Sequence, residues 1–163
     1  MPNVVKQEIT IAGIKYRLSL QEDLDKIREL LQRSDLPVED VDENKIVFIV
    51  ATHETNSLIG CIGLEQYGPD GLLRSMAVDP AYRNSGIGHE LFNHLLSVSR
   101  QNNITTLHLL TTTAEKYFSR SGFLKSARND APASIQATEE FSSLCPSSSA
   151  YMVMNNIQNK IFK

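Results

Sequence analysis

Along the chain, segments with the apolar runs typical of β-strands alternate with segments whose apolar residues have helical spacing. The run from Leu72 to Val78 has the length and branching of a buried strand. Asp79 and Pro80 end it, because proline cannot donate to a sheet ladder. A helical pattern follows, with apolar residues at Ile87, Leu91, Phe92, Leu95, Leu96 and Val98. This stretch predicts a buried strand that leads through a polar loop into an amphipathic helix.

Two segments before this stretch also have clear patterns. Residues 9–18 carry strand-forming residues on both sides of Gly13, which predicts a short hairpin or an interrupted strand. Ser19 and Glu22 have the spacing of a capping box. A helix is therefore expected to begin there and to end near Ser34.

The remaining apolar runs predict a mixed sheet. Further strands are expected over residues 46–52, 58–66, 104–110 and 150–154. Hairpin-length turns at 53–57 and 67–71 join the first two of these to the Leu72 strand, so the three strands should form an antiparallel meander. The 104–110 strand is reached through a helix, which favours parallel pairing with the Leu72 strand. Two parallel strands side by side leave a cleft at their carboxyl ends.

Two more helices are expected after the 104–110 strand. One runs from Glu115 to Ser121 and is capped by Gly122 in left-handed conformation. The other has Asp130 as its N-cap and ends at Cys145. Residues 155–163 carry little pattern, and we expect a frayed tail there.

The loop before the Ile87 helix has the chemistry of an anion site. The first backbone N–H groups of a helix have no intrahelical partner, and the macrodipole adds partial positive charge there, so a phosphate can bind. Glycines also let the backbone come close to a ligand, although a plain turn is the alternative interpretation. The spacings of a Walker loop and of a dinucleotide fingerprint are both absent. The loop residues are Arg83, Asn84, Ser85, Gly86, Ile87 and Gly88.

Composition is that of an ordinary globular protein. The 163 residues are 41% hydrophobic and 21% charged, with a formal net charge of −3. We expect one domain over residues 1–163 with its core at 9–154. The negative charge argues against a sequence-independent nucleic-acid binder, which needs a basic face. The first residues lack a signal-peptide core, and no run approaches the roughly 18 apolar residues of a membrane helix. The sequence therefore predicts a soluble, cytoplasmic protein without a nucleic-acid or membrane partner.

Cysteine and histidine positions give no metal pattern. Cys61 and Cys145 form no C-x-x-C pair, and the four histidines have no ligand spacing. His94 and His108 are expected to be surface or core residues. No metal is predicted.

The succession of a strand, V-D-P-A-Y-R, R-x-x-G-x-G and an amphipathic helix resembles the acetyl-coenzyme A signature of the GNAT N-acetyltransferase superfamily. The stretch LTTTAEKYFSRSGF is similar to amino-acid N-acetyltransferases of the N-acetylglutamate synthase type. Together with the following RNDAPASIQATEEFSSLCP, it is also similar to small GNAT proteins associated with arsenic resistance.

This resemblance implies an α/β fold of the mixed α+β type. Its central sheet has an antiparallel meander and a parallel pair splayed at the acetyl-coenzyme A cleft, and helices flank it. The implied activity is direct transfer of an acetyl group from acetyl-coenzyme A, as cosubstrate, to the amine of an amino acid or a similar small molecule. A monomer and a homodimer are both compatible with it.

The resemblance also implies which residues bind the cosubstrate. A backbone N–H of the Leu72 strand would polarise the thioester carbonyl, and the Arg83–Gly88 loop would bind the pyrophosphate. Thr111, at the end of the 104–110 strand, is expected to contact the acceptor. The expected cosubstrate-binding residues are Met76, Ala77, Val78, Arg83, Asn84, Ser85, Gly86, Ile87, Gly88, His89, Ala114 and Phe118.

Two positions depart from the family pattern. Many relatives place a tyrosine acid where this chain has Phe118, so Tyr117, one residue earlier, is the candidate acid, with a core or coenzyme-wall role as the alternative. Many relatives carry a glutamate base where this chain has Leu72, and Glu65 on the neighbouring strand is the nearest replacement. An exposed strand-end role for Glu65, a base acting through water, and binding of a neutral amine are the alternatives.

Arg74 is a cation between apolar neighbours on a central strand. Strict alternation would place Leu72, Arg74, Met76 and Val78 on one face. Burying an unpaired guanidinium is very costly, so Arg74 needs a protein carboxylate such as Glu65, solvent, or an anionic ligand. Because glutamate-acetylating relatives carry an arginine at the matching position, the resemblance favours recognition of the acceptor's carboxylate. An internal ion pair is the alternative of equal weight.

Two further pairs of alternatives stay open, one for the acidic segment after the first helix and one for the function of the whole protein. The acidic segment 35–45 is either a solvated connection or, as the resemblance implies, a mobile wall over the acceptor side. The rival to an enzyme is a catalytically weak coenzyme A-binding sensor or interaction module, which the departures at Phe118 and Leu72 favour.

Overall fold

The structure of the chain is a computed structural model that describes residues 9–11, 13–41, 45–54 and 57–159. Its strands are β1 (Ile9–Ile11), β2 (Ile14–Leu18), β3 (Ile46–Thr52), β4 (Leu58–Tyr67), β5 (Asp70–Val78), β6 (Thr106–Thr111), β7 (Leu124–Ser126) and β8 (Ala150–Met154). Its α-helices are α1 (Leu24–Arg33), α2 (Ile87–Gln101), α3 (Glu115–Arg120) and α4 (Ala133–Gln136). Short 3-10 turns cover Gln21–Asp23, Pro80–Tyr82, Arg128–Asp130 and Ile157–Asn159, and a π-helical turn covers Glu140–Leu144.

The strands of the described residues form one mixed sheet in the order β1-β2-β3-β4-β5-β6-β8-β7. The predicted hairpin of β1 and β2 and the antiparallel meander of β3, β4 and β5 are confirmed. β5 and β6 run parallel, as the helical crossover predicted. The turn between β4 and β5 is tighter than expected, since Tyr67 pairs with Asp70 and only Gly68, at a φ of 60°, and Pro69 lie between them.

β5 and β6 stay together for only a short distance. Their paired residues are Asp70 with Thr106, Gly71 with Leu107 and Leu72 with His108. β5 then continues to Val78, while β6 keeps its pairing with β8 up to Thr111. In the described strands, the edge of β5 that faces β6 therefore has no ladder partner beyond Leu72, and a cleft opens between the two carboxyl ends.

A β-bulge interrupts β5 just inside this cleft. Cys61 pairs with Ala77 and Gly63 with Arg74, so two residues of β5 oppose one residue of β4. Ser75, in the bulge, has a φ of 54°, in the left-handed region. An extra residue reverses the alternation of side chains along the strand.

The face prediction for β5 is therefore wrong in its second half. Met76 and Val78 pack with Leu73 against the α2 side of the sheet, whereas Arg74 does not join them. Ala77 instead packs on the α1 side. The bulge thus separates Arg74 from Met76 and Val78, two of the three residues with which strict alternation had grouped it.

Helices cover both faces of the sheet. α2 buries Ile87, Leu91 and Leu95 against one face, in the same cluster as Leu73 and Leu109. On the other face, α1 buries Ile27, Leu30 and Leu31 in a cluster with Ala77. A second cluster on that face joins Leu72 to Ile135 of α4 and to Phe141 and Tyr151. Fully burying each such side chain stabilises the fold by about 1.5–3 kcal/mol.

The predicted capping box of the first helix is wrong. The backbone N–H of Ser19 donates to the carbonyl of Phe48 at 2.9 Å, so it is not free for Glu22. Asp23 has the capping role instead, because its carboxylate accepts from the N–H of Leu20 at 2.6 Å. The helix still ends as expected, with Ser34 as its C-cap.

The predicted helix from Asp130 to Cys145 is also wrong in part. The carboxylate of Asp130 accepts from the hydroxyl of Ser126, and Pro132 occupies the N-cap position of the short helix α4. The segment continues as the π-helical turn Glu140–Leu144. A turn at residues 137–138 divides the run into two pieces, although its apolar residues share one cluster.

The end of the described chain is packed against the fold. Ile157 is fully buried, and its N–H donates to the carbonyl of Thr105 at 3.0 Å. The Nε–H of Arg100 donates to the carbonyl of Ile157 at 2.8 Å. The expected frayed tail is therefore wrong for residues 155–159, and residues 160–163 lie outside the described residues, as do 1–8, 12, 42–44 and 55–56.

The histidine predictions agree with the structure. His94 is buried and stacks on Tyr16, and buried His108 contacts the hydroxyl of Tyr151 and the carboxylate of Asp70. In the part of the chain that the structure describes, no group of three or more His, Cys, Asp and Glu residues is placed to hold a metal ion. Of the helices described, none combines the length and the apolar character that a membrane span requires.

Candidate acetyl-coenzyme A site

The loop between β5 and α2 is held in shape by its own hydrogen bonds. The Asp79 carboxylate accepts from the N–H of Ala81 at 2.9 Å, which fixes the turn that leaves β5. The Nε–H of Arg83 donates to the carbonyl of Val78 at 3.2 Å, and the hydroxyl of Ser85 donates to the carbonyl of Tyr82. The shape of the loop is thus fixed by hydrogen bonds within the protein.

The start of α2 presents free donors at the mouth of the cleft. The first intrahelical bond runs from the N–H of Glu90 to the carbonyl of Gly86 at 3.1 Å. The N–H groups of Ile87, Gly88 and His89 precede it, so they have no intrahelical acceptor. With the macrodipole they can bind the oxygens of a pyrophosphate.

Two glycines shape this surface in different ways. Gly86 has a φ of 87°, and a Cβ at this position would meet open space, so the site is accessible from outside. A Cβ on Gly88 would come within 3.2 Å of Met76 Cε and 3.4 Å of the hydroxyl oxygen of Tyr117. Asn84 also has a positive φ, of 65°, which asparagine tolerates better than most residues.

Tyr117 is therefore placed on the α2 side of the cleft, beside Met76 and the first turn of α2. Its ring packs edge-on against Phe118, with ring centroids 5.2 Å apart. Desolvation by burial raises the pKa of the Tyr117 hydroxyl, which stays protonated at neutral pH as a proton donor must.

The other expected contact residues divide into two groups. Phe118 and Ile87 are buried core residues, at 6% and 1% exposure, so their side chains do not line the cleft and only backbone groups of Ile87 can reach a ligand. His89 is exposed, and Ala114 and Thr111 are half-buried. The Thr111 hydroxyl accepts from the N–H of Ala114 at 3.0 Å, which orders the start of α3 at the end of β6.

Arg74 lies in a buried ion cluster on the face opposite α2. Its guanidinium holds both oxygens of Asp40, at 2.6 and 2.5 Å, and donates to Glu65 at 2.7 Å. Its Nε–H donates to the Ser75 hydroxyl at 3.0 Å, and Glu140 lies 3.9 Å from Nη2. The donors that an acceptor's carboxylate would need are thus taken by the protein, so the structure has the internal ion pair in place of ligand recognition.

Glu65 is not the exposed strand-end residue that was one alternative. It is fully buried, and its carboxylate accepts from the hydroxyl of Tyr67 as well as from Arg74. Each of its two oxygens already has a protein partner, Oε1 the hydroxyl of Tyr67 and Oε2 the guanidinium of Arg74. The predicted base role of Glu65 therefore has no support in this arrangement.

Sequence reasoning missed two members of the cluster, Asp40 and Glu140. Asp40 belongs to the acidic segment 35–45, for which a solvated connection and a mobile wall were the open alternatives, and it is only 2% exposed. The buried cation Arg74 signalled that a carboxylate must lie nearby, but spacing along the sequence could not select residues 34 positions before and 66 positions after it.

Burial alone would lower the pKa of the Arg74 guanidinium, but the surrounding carboxylates raise it overall. Burial, followed by the charges of Asp40 and Glu65, raises the pKa of Glu140, which Arg74 only partly offsets. Burial and the neighbouring Glu140 raise the pKa of the Cys145 thiol to about 12, so that thiol stays protonated.

Comparison with known proteins identifies the family. Residues 44–125, about half of the chain, match the family described as acetyltransferase (GNAT) domain. The chain belongs to this family. The matched range contains the meander, the loop before α2, α2 itself, β6 and α3, which are the elements that form the cleft.

Curated relatives are amino-acid acetyltransferases. The chain is 31% identical to one from Pseudomonas putida over 131 residues, which are 79% of this chain and 29% of that protein. It is 38% identical to one from Mycobacterium tuberculosis over 79 residues, 47% of this chain and 45% of that protein. The chain thus spans less than half the length of these relatives.

Solved structures show the same fold. An N-acetylglutamate synthase from Neisseria gonorrhoeae, complexed with coenzyme A and N-acetyl-glutamate, has a TM-score of 0.75 at 22% identity, covering 90% of this chain and 36% of that chain. Tetrahymena GCN5 has a TM-score of 0.74 at 18% identity, covering 90% and 99%. At these identities the likeness shows the fold alone.

Proposed function

We propose that the chain transfers the acetyl group of acetyl-coenzyme A directly to the amine of an amino acid or a close analogue. The observation that carries the proposal is the divergence of β5 from β6 after Leu72, with the free donors of α2 at the mouth of the cleft. This arrangement places an unpaired β-strand edge, which could bind the acyl end of a ligand, next to an anion site, which could bind its pyrophosphate. Acetyl-coenzyme A, bound there, supplies an acetyl thioester to an incoming amine.

The loop and α2 would hold the pyrophosphate. The N–H groups of Ile87, Gly88 and His89 offer donors without intrahelical acceptors, and the exposed guanidinium of Arg83 adds a cation beside them. Asn84 and Ser85 would contribute backbone and polar contacts from the same loop. The open space at Gly86 supports this placement, because a phosphate can approach the backbone there without meeting a side chain.

The unpaired edge of β5 would orient the acyl end. Met76, Ala77 and Val78 follow the bulge at Ser75, where the ladder with β6 has ended. A backbone N–H on this edge can donate to the thioester carbonyl and stabilise negative charge that develops on its oxygen. Thr111, at the end of β6, and Ala114, just before α3, would form the facing wall.

Tyr117 is the proposed proton donor to the departing thiolate. Its hydroxyl lies beside Met76 and Gly88, and its raised pKa keeps it protonated. Since Glu65 is bound to Arg74 and Tyr67, the acceptor's proton would leave through water or the acceptor would bind as the neutral amine. Direct attack needs no nucleophilic cysteine, in line with the burial of Cys61 and the raised pKa of Cys145.

An amino acid is the proposed acceptor because the curated relatives are amino-acid acetyltransferases. A cytoplasmic location, a monomeric or homodimeric state and a connection with arsenic resistance stay predictions from the sequence, as does a single domain with its core at residues 9–154.

The test is release of coenzyme A from acetyl-coenzyme A, followed with a thiol reagent, against a panel of amines. The panel pairs amino acids with their decarboxylated amines and with N-acetylated amino acids, which offer no free α-amine. We expect release that depends on a free amine, and mass spectrometry should find the acetylated acceptor. Stabilisation by acetyl-coenzyme A with no amine-dependent release would favour the rival function, a coenzyme A-binding sensor.

A further inference from the structure

The buried ion cluster of Asp40, Glu65, Arg74 and Glu140 joins parts of the chain that are otherwise packed separately. Asp40 belongs to the segment that follows α1, whose apolar residues cluster with α1, β3 and β4. Glu140 belongs to the π-helical turn after α4, whose apolar neighbours cluster with Leu72 and Tyr151. Arg74 lies between these clusters, and its guanidinium reaches both carboxylates.

The position of Arg74 along β5 gives the cluster a relation to the cleft. Leu72 is the last residue of β5 that pairs with β6, so Arg74 is the second residue after the strands diverge. The Nε–H of Arg74 also donates to the hydroxyl of Ser75, in the bulge that precedes Met76. The cluster therefore spans the sheet face opposite α2 at the level where the cleft begins.

We propose that Arg74 is a positioning residue for acetyl transfer, which sets the acceptor side of the cleft by holding the Asp40 segment and the Glu140 turn at a fixed spacing. This inference rests on the proposed function. The bidentate contact with Asp40 fixes the orientation of that segment relative to β5, since two parallel hydrogen bonds allow little rotation. Glu65 anchors the guanidinium to β4, and Nη2 of the same guanidinium lies 3.9 Å from Glu140 of the π-helical turn.

Asp40→Asn is the variant that tests the bridge. It keeps the size of the side chain but removes the charge and one acceptor, while Glu65 and Ser75 continue to hold Arg74. The matched control is Asp23→Asn, because Asp23 is also buried and also holds an arginine, Arg17, at 2.7 and 3.2 Å, but at the start of α1. Both variants lose one buried carboxylate, and only one of them touches the cluster.

Two readouts on the purified full chain separate positioning from general stability. Hydrogen exchange followed by mass spectrometry should show faster exchange in both 36–41 and 140–145 for Asp40→Asn and in neither for Asp23→Asn. In steady-state kinetics, Asp40→Asn should raise KM for the acceptor by about 10-fold to 100-fold, since small displacements of a binding wall are costly. The KM for acetyl-coenzyme A should stay within about twofold.

Faster exchange confined to 36–41, or an acceptor KM equal to that of Asp23→Asn, would overturn the proposal. If Asp40→Asn does not fold, Asp40→Glu keeps the charge on a longer side chain and should disturb the same two segments to a smaller extent. If no amine is acetylated by the unchanged protein, the proposed function has failed, and the exchange data still decide whether Arg74 couples the two segments.

Discussion

The hydroxyl oxygen of Tyr117 lies 3.4 Å from the position that a Cβ would occupy on Gly88. A tyrosine of α3 is thereby brought to the first turn of α2, where the free N–H groups of that helix begin. Because Gly88 has no side chain, Met76 and the Tyr117 hydroxyl can both pack against the first turn of α2. The two helices meet at the mouth of the cleft, so a group bound to the loop and a group that touches Tyr117 can belong to one ligand.

Replacing Tyr117 with phenylalanine tests its role as the acid. If the hydroxyl protonates the departing thiolate, Tyr117→Phe should lower kcat by about 10²-fold to 10⁴-fold. Affinity for acetyl-coenzyme A should change little, because the ring and its contact with Phe118 remain. Steady-state coenzyme A release and a binding isotherm measure the two effects.

Tyr16→Phe is the matched control for this change. Tyr16 is a buried tyrosine with a raised pKa, but it stacks on His94 within the main core. Removing its hydroxyl should leave kcat within a few fold. If both variants retain full activity, Tyr117 is structural and the thiolate leaves without an acid.

Replacing Gly86 tests the phosphate loop. Acetyl-coenzyme A at about 100 times its Kd should add about 2.7 kcal/mol to the free energy of unfolding, or about 5–11 °C in Tm for a domain of this size. Gly86→Asp should abolish that shift, because it puts a carboxylate into the open space beside the helix donors. Differential scanning fluorimetry with and without ligand measures it.

Gly68→Asp separates ligand repulsion from backbone strain. Gly68 also has a positive φ, of 60°, and a Cβ there also meets open space, but it lies in the turn between β4 and β5, at the start of β5. Both variants should lose some stability from strain, whereas only Gly86→Asp should lose the ligand-induced shift. A full shift in folded Gly86→Asp would remove the loop from the site.

The sequence predicted the order of strands and helices well because hydrophobic period, turn residues and crossovers are local signals. It failed within β5, where the bulge at Ser75 turns Met76 away from the face of Arg74. A bulge adds one residue without changing the apolar composition of the strand, so the pattern contains no mark of it. The prediction of a frayed tail was wrong for residues 155–159 for a similar reason, since the burial of Ile157 depends on contacts that only the folded chain provides.

The backbone part of the candidate site was predictable, and the charged part was predictable only for Glu65. The loop and helix donors follow from residues adjacent in sequence, and the structure forms them as expected. Glu65 lies on the strand next to β5 and was one of the partners expected for Arg74, whereas Asp40 and Glu140 come from distant segments and carry no local pattern that distinguishes them from solvated carboxylates. Side-chain pairing across a sheet face is a tertiary property, which a single sequence does not encode by spacing.

The commitment of Arg74 to protein carboxylates leads to a prediction about acceptors. Because Asp40 and Glu65 occupy the guanidinium, Arg74→Lys should raise KM by a similar factor for an amino acid and for its decarboxylated amine. Lysine keeps the charge but cannot reproduce the bidentate geometry. A loss at least tenfold larger for the amino acid would mean that Arg74 releases Asp40 and reads the acceptor's carboxylate. Arg17→Lys, in the separate pair with Asp23, controls for the loss of a half-buried guanidinium that also holds a carboxylate.

The surplus of negative charge in the cluster predicts how stability depends on pH. Burial and the charges of Asp40 and Glu65 raise the pKa of Glu140 in the folded state above the ordinary value of 4.5. Stability from this group is therefore fully present below the ordinary glutamate pKa and is lost as pH rises through the raised folded pKa. Glu140→Gln removes the titration while keeping a polar side chain of the same size.

We therefore expect Glu140→Gln to have a higher Tm than the unchanged protein at pH 8, with the difference shrinking as pH falls toward 4.5. Each kcal/mol corresponds to about 2–4 °C for a chain of this length, so thermal melts across a pH series can resolve the effect.

Asp40→Asn should instead lower the Tm at pH 8, because Asp40 is the bidentate partner of Arg74 and its loss leaves a buried guanidinium short of hydrogen-bond acceptors. The two variants remove the same charge within one cluster, so a Tm that falls equally in both would show that all three carboxylates are needed to balance Arg74. A rise for Glu140→Gln alone would show that Glu140 is the carboxylate in excess, which the 3.9 Å separation from the guanidinium already indicates.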